Sequence, residues 1–136
     1  MSNQASTQHE QAIELAHHAC QAPIWIRDTG ELAQAAEQWK HSSLLALDTE
    51  FMRERTYYPQ LALIQISDGH QVWLIDSPTL DNHAALASIL NDPNIVKALH
   101  SPREDLEVLH LATGELPRPL FDTQAAAALC GNSLQT

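Results

Sequence analysis

The chain has 136 residues, enough for one domain with a real core, and its 44% hydrophobic content argues against a disordered chain. No apolar run reaches the roughly 18 residues that a membrane helix needs, and no basic region followed by an apolar stretch marks a secretory signal. Seven Lys and Arg stand against 17 Asp and Glu, a formal net charge of −10, which is the reverse of the basic footprint usual in nucleic-acid binders.

Residues 1–22 are rich in Gln, Ser, His and Ala with little apolar periodicity, so they read as a flexible, frayed or partly helical N-terminal extension. Ile24-Trp25-Ile26 reads as a short strand. Asp28 offers an N-cap with Glu31 three residues on, and a helix over 29–40 follows with Leu32, Ala35, Ala36 and Trp39 on one face. Strands are expected at 44–48, 61–67 and 72–76, the last two joined by a hairpin turn at Ser67-Asp68-Gly69-His70. A helix over 82–90 ends before Asp92-Pro93, and 95–99 forms the fourth main strand. Ser101, Pro102 and Glu104 make a capping-box start for the next helix, with Asp105 in its first turn near the positive end of the dipole. After Gly114, residues 117–123 lead into a short fifth strand, and Asp122 caps an Ala-rich helix over 123–130. The result is an α/β protein with a mixed five-stranded sheet and flanking helices.

The chemistry centres on Leu44-Leu45-Ala46-Leu47-Asp48-Thr49-Glu50-Phe51, where an apolar run ends in two acids spaced i, i+2. On a strand these side chains share one face. Adjacent carboxylates repel, and a hard divalent cation such as Mg²⁺ or Mn²⁺ relieves that cost. The plain alternative is a strand that runs out into solvent and leaves both acids on a wet loop. Asp105 has an equally plain alternative as a first-turn acid that only steadies its helix. Arg53 and Arg55 offer phosphate contacts or a solvated charged loop. Tyr57 and Tyr58 offer base stacking or packing on the hairpin. His100, at a strand end, offers a substrate contact or a satisfied buried imidazole. The two cysteines, Cys20 and Cys130, make no disulfide framework and point to a reduced, cytoplasmic compartment.

The Asp48-Thr49-Glu50 motif, its continuation Thr56-Tyr57-Tyr58-Pro59-Gln60-Leu61, and the later His100-Ser101-Pro102-Arg103-Glu104-Asp105 segment together closely resemble the ribonuclease D group of DEDD-superfamily 3′–5′ exonucleases, over residues 25–131. The resemblance implies a ribonuclease H-like fold and two-metal phosphodiester hydrolysis at RNA 3′ ends, in the processing of structured RNA or tRNA. It implies Asp48, Glu50 and Asp105 as catalytic metal ligands for Mg²⁺ or Mn²⁺, with Asp48 bridging both ions. It implies Phe51 and Met52 packed against the terminal nucleotide. The family's third motif, a late Tyr-x-x-x-Asp, has no counterpart after Asp122. Residues 23–136 are therefore expected to be the front part of an exonuclease domain, with apolar surface left open to self-association. A catalytically inactive nucleic-acid-binding or interaction module is the alternative.

Overall fold

The structure is a computed structural model and describes residues 2–53 and 58–132. Helix α1 (Ser2–Gln21) precedes strand β1 (Ile24–Ile26), helix α2 (Thr29–Trp39), and strands β2 (Leu44–Met52), β3 (Gln60–Ser67) and β4 (Val72–Asp76). A single 3₁₀ turn (Ser77–Thr79) leads to helix α3 (Ala84–Leu90), strand β5 (Val96–Leu99), helix α4 (Arg103–Thr113), strand β6 (Leu120–Asp122) and helix α5 (Thr123–Leu129). Residues 2–21, expected to be frayed or partly helical, form one continuous helix.

Six strands, not five, make one sheet in the order β1-β4-β3-β2-β5-β6. The extra member is β1, which pairs in parallel with β4 through Ile24 and Trp73, Trp25 and Leu74, and Ile26 and Ile75. The β2-β3-β4 run is antiparallel, as a hairpin-connected series should be, while β5 and β6 pair in parallel after helical crossovers. The central position of β2 follows from its partners on both sides.

Alternation along the strands decides what each face does. Leu45, Leu47, Ile64, Ile66, Trp73, Ile75 and Ile26 point to one face and are buried there with Leu32, Ala35, Ala36 and Trp39 of α2, Leu86, Ile89 and Leu90 of α3, and Leu109 of α4. Trp39 and Trp73 meet edge to face, ring centroids 5.5 Å apart at 89°. The α2 start is as expected: Asp28 accepts a 2.7 Å hydrogen bond from the Glu31 amide.

Lys97 of β5 is wholly buried on the helix-covered face, which the strand pattern did not foresee. Its Nζ donates to the Asp92 carbonyl at 2.6 Å and the Arg118 carbonyl at 2.8 Å, so two loop carbonyls are satisfied. Burial pulls its pKa below the ordinary lysine value, against the opposing pull of Asp92.

Candidate active site

Strand β2 runs four residues past the expected end, through both acids to Met52. Its antiparallel pairing with β3 carries it: Asp48 faces Gln65, Thr49 faces Ile64 and Glu50 faces Leu63. The wet-loop alternative is thereby overturned, because Asp48 and Glu50 both lie within the strand. They share the face opposite the helix-covered core, and both are exposed, while Thr49 between them is buried. A register shift between Glu50 and Phe51 breaks the ladder immediately after the second acid. Such bulges re-aim side chains beside functional sites.

On its other edge β2 loses its partner early. It pairs with β5 through Leu44, Leu45 and Ala46, and β5 then gives way to α4. The Thr49 amide on this stretch would have no ladder acceptor. Asp105, in the first turn of α4, supplies one: its Oδ1 accepts from the Thr49 amide at 3.1 Å and from Thr49 Oγ1 at 2.5 Å. The Thr49 amide also lies 3.0 Å from Asp48 Oδ1, so one N–H is shared by the two acids. Asp105 is 8% exposed, and it is held by the strand rather than left at the helix surface.

These elements enclose a cleft of about 580 Å³ lined by Asp48, Thr49, Glu50, Phe51, Ser101, Arg103, Glu104 and Asp105. Among the described residues, four acids and one arginine line it. Asp48, Glu50 and Asp105 come together around this cleft as the sequence suggests. They approach from two sides, however: Asp48 and Glu50 from the open face, and Asp105 from α4 with an oxygen bound to Thr49. Among the described residues, no group of three His, Cys, Asp or Glu side chains is spaced to hold a metal ion. The donors suit a hard divalent cation in kind, since all are carboxylate oxygens and none of these three acids is in a salt bridge among the described residues.

The remaining expected site residues separate. Phe51 lines the cleft and is half-buried. Met52 is 56% exposed and lies outside the lining. His100 also lies outside it, with Nδ1 2.9 Å from Thr123 Oγ1 at the start of α5. Arg53 is engaged by Glu107 of α4 at 3.1 Å, and its guanidinium lies 5.9 Å from the Phe51 ring centre. Arg55 and Tyr57 fall outside the described residues, and Tyr58 is 60% exposed.

The capping box expected at Ser101 does not form. Ser101 adopts a left-handed φ of 51°, Pro102 takes the cap position without a side-chain bond, and the Ser101 amide donates to Asp122 Oδ1 at 3.1 Å. Asp122 caps α5 as expected, accepting from Gln124 at 2.9 Å. It therefore also ties the β5–α4 turn, which carries one wall of the cleft, to the β6–α5 turn. Sequence reasoning assigned no part in the site to Ser101, Arg103 and Glu104; their nearness to Asp105 in the chain was the available signal.

A mixed sheet with an acid pair on its central strand and a third acid from the helix behind it defines a class of nuclease domain. Residues 23–135 match the family profile described as 3′–5′ exonuclease, and the chain belongs to that family. It is similar to ribonuclease D of Pseudomonas paraeruginosa, 51% identical over 107 residues that make up 79% of this chain and 28% of that protein. The crystal structure of Escherichia coli RNase D, described as an exoribonuclease involved in structured RNA processing, superposes with a TM-score of 0.81 at 46% identity, covering 85% of this chain and 31% of that one. Brucella melitensis NrnC with bound Mg²⁺ superposes with a TM-score of 0.64 at 28% identity, covering 79% of this chain and 52% of that one. The chain spans less than a third of the length of the ribonuclease D proteins that it matches.

Proposed function

We propose that the cleft between β2 and α4 is the metal-dependent half of a ribonuclease D-like exoribonuclease site that acts on RNA 3′ ends, in the processing of structured RNA or tRNA. The observation that carries this reading is the placement of Asp48, Glu50 and Asp105 around one cleft in a chain of this family. Asp48 and Glu50 would hold Mg²⁺ or Mn²⁺ from the open face, and Asp105 would hold a second ion directly or through water. Mg²⁺ in the similar NrnC structure supports the choice of ion. A pair of such cations would supply water activation and stabilisation of the leaving oxygen.

The chain's own residues then have separate tasks. Phe51, just past the register shift after Glu50, lines the cleft, where its ring would pack on a terminal base, and the exposed Met52 beside it in the chain would add apolar surface. Thr49 fixes the Asp105 carboxylate before any ligand arrives, which lowers the cost of ordering it. His100 would meet the strand from the adjoining turn. Two exposed free cysteines suit a reducing, cytoplasmic setting, and no described helix is long and apolar enough to cross a membrane.

A second reading has one observation in its favour. Asp105 is already satisfied by Thr49, and no three-ligand group is present among the described residues, as in a module that binds nucleic acid without cutting it. Incubation of a 5′-labelled oligoribonucleotide with the chain and Mn²⁺ separates the two. Shortening from the 3′ end is compared with the roughly 1 s⁻¹ of ordinary enzymes. Slow, Mn²⁺-dependent shortening that Glu50→Gln removes supports the exonuclease reading. Binding with no shortening at any Mn²⁺ concentration favours the second.

A further inference from the structure

The cleft presents an electrostatic problem. Four acids among the described residues line its wall, the chain as a whole carries a formal charge of −10, and the proposed substrate is a polyanion. Cations in the site would offset part of the repulsion, but bound metal does not distinguish a phosphate from any other hard oxygen ligand. The protein must supply some anion-binding group of its own. Of the pair that the sequence offered, Arg53 is occupied by Glu107 at 3.1 Å, its guanidinium 5.9 Å from the Phe51 ring centre, and Arg55 lies outside the described residues.

Arg103 is placed differently. It is the first residue of α4, where a positive side chain opposes the helix dipole and stabilises nothing locally. Its i+4 neighbour Glu107, the acid that would ordinarily pair with it along the helix, is taken by Arg53. Three acids close to it in space or sequence, Glu50, Glu104 and Asp105, line the same cleft, yet Arg103 forms no salt bridge among the described residues. An exposed guanidinium that opposes its helix, lacks its helical partner and lines an acidic cleft has no structural task that these contacts reveal. Among the described residues it is also the only Lys or Arg on the cleft wall.

We infer that Arg103 is a substrate-positioning residue that grips phosphodiester oxygens of the RNA strand as its 3′ end enters the cleft. This rests on the exonuclease reading above and adds to it the group that selects a phosphate. The planar guanidinium offers paired N–H donors that match two phosphate oxygens, a geometry that an ammonium does not reproduce. Its place beside Ser101, whose amide is held by Asp122, puts it on a wall tied to the body of the fold.

Fluorescence anisotropy of a short 5′-fluorescein oligoribonucleotide tests this, with Ca²⁺ as the added cation, a series of KCl concentrations, and a gel to confirm that the RNA stays intact. Wild type, Arg103→Ala, Arg103→Lys, Asp48→Asn and, as a charge-matched control at the far sheet edge, Arg27→Ala are compared. Arg103→Ala should bind roughly tenfold to a hundredfold more weakly, the equivalent of one charge-assisted hydrogen-bonding pair. Its log–log salt slope should fall by about 0.7, the value for one single-strand phosphate contact. Arg103→Lys should keep the slope and lose part of the affinity, and Arg27→Ala should track wild type. A merely structural role would lower the melting temperature without changing the slope, so the slope decides the matter even if Arg103→Ala is less stable. If Arg103→Ala binds with wild-type affinity and slope while Asp48→Asn loses cation-dependent binding, the inference falls and the exonuclease reading stands. If wild type shows no cation-dependent RNA binding, both fall.

Discussion

Thr49 is the residue on which the site's geometry turns, although it carries no charge. It presents its hydroxyl and its amide to one oxygen of Asp105, at 2.5 and 3.1 Å, in a buried setting. Thr49→Val keeps the shape and the β-branched preference for strand but removes the hydroxyl donor. A buried carboxylate oxygen deprived of one donor should cost about 1–3 kcal/mol of stability, while Thr49→Ser should cost less. Urea unfolding checks this, and equal midpoints for wild type and Thr49→Val would show that the hydroxyl contributes nothing. The shared face of Asp48 and Glu50 was legible in the sequence, since it follows from the period of two along a strand. The hold of Thr49 on Asp105 was not, because it joins residues 56 apart in the chain and depends on where β5 leaves the sheet. The pairing of Arg53 with Glu107, 54 residues away, was hidden for the same reason.

At the level of elements, helix and strand positions were largely legible from periodicity and caps, and the departures have local physical causes. Strand β2 outlasts its apolar run because β3 pairs with it as far as Met52. Helix α4 starts without its capping box because Ser101 is turned left-handed and tied to Asp122. The short α3 shows a further link that composition could not reveal. Its cap residue His83 places Nε2 2.6 Å from the buried Ser77 hydroxyl of the 3₁₀ turn. Burial holds the His83 pKa below its ordinary value of 6.5. The unfolded chain therefore takes up this proton more readily than the folded one. Stability from this group is present above the ordinary value and is lost as pH falls from there through the lowered folded value. Melting temperatures measured from about pH 7 down to about pH 5, the range in which histidines titrate, should fall more for wild type than for His83→Asn. Parallel curves would remove His83 from the account.

At the scale of the whole molecule, the two faces of the sheet are unequal. Helices α2, α3 and α4 bury one face, while the other carries Trp25, Leu44 and Phe121 at 40%, 50% and 48% exposure. Cys20 near the end of α1 lies beside Ala46, Asp48 and Gln65 on this second face, so α1 reaches only part of it. These three side chains lie on β1, β2 and β6, which are separated in the sheet, and each leaves apolar surface open on this face. We propose self-association of this chain through that face, and expect light scattering across a dilution series to show mass rising with concentration. A monomer at every concentration would contradict it. The sequence indicated the mixed sheet but not its order, because parallel neighbours such as β1 with β4 are set by packing and not by the chain between them.

The central claim is that the β2–α4 cleft binds divalent metal through Asp48 and Glu50. Mn²⁺ titrated into the ¹⁵N-labelled protein tests it most directly, since paramagnetic broadening falls off steeply with distance from the ion. The account predicts broadening centred on residues 48–51 and 101–105 that Asp48→Asn removes. Broadening centred elsewhere, or an identical pattern in Asp48→Asn, would contradict it.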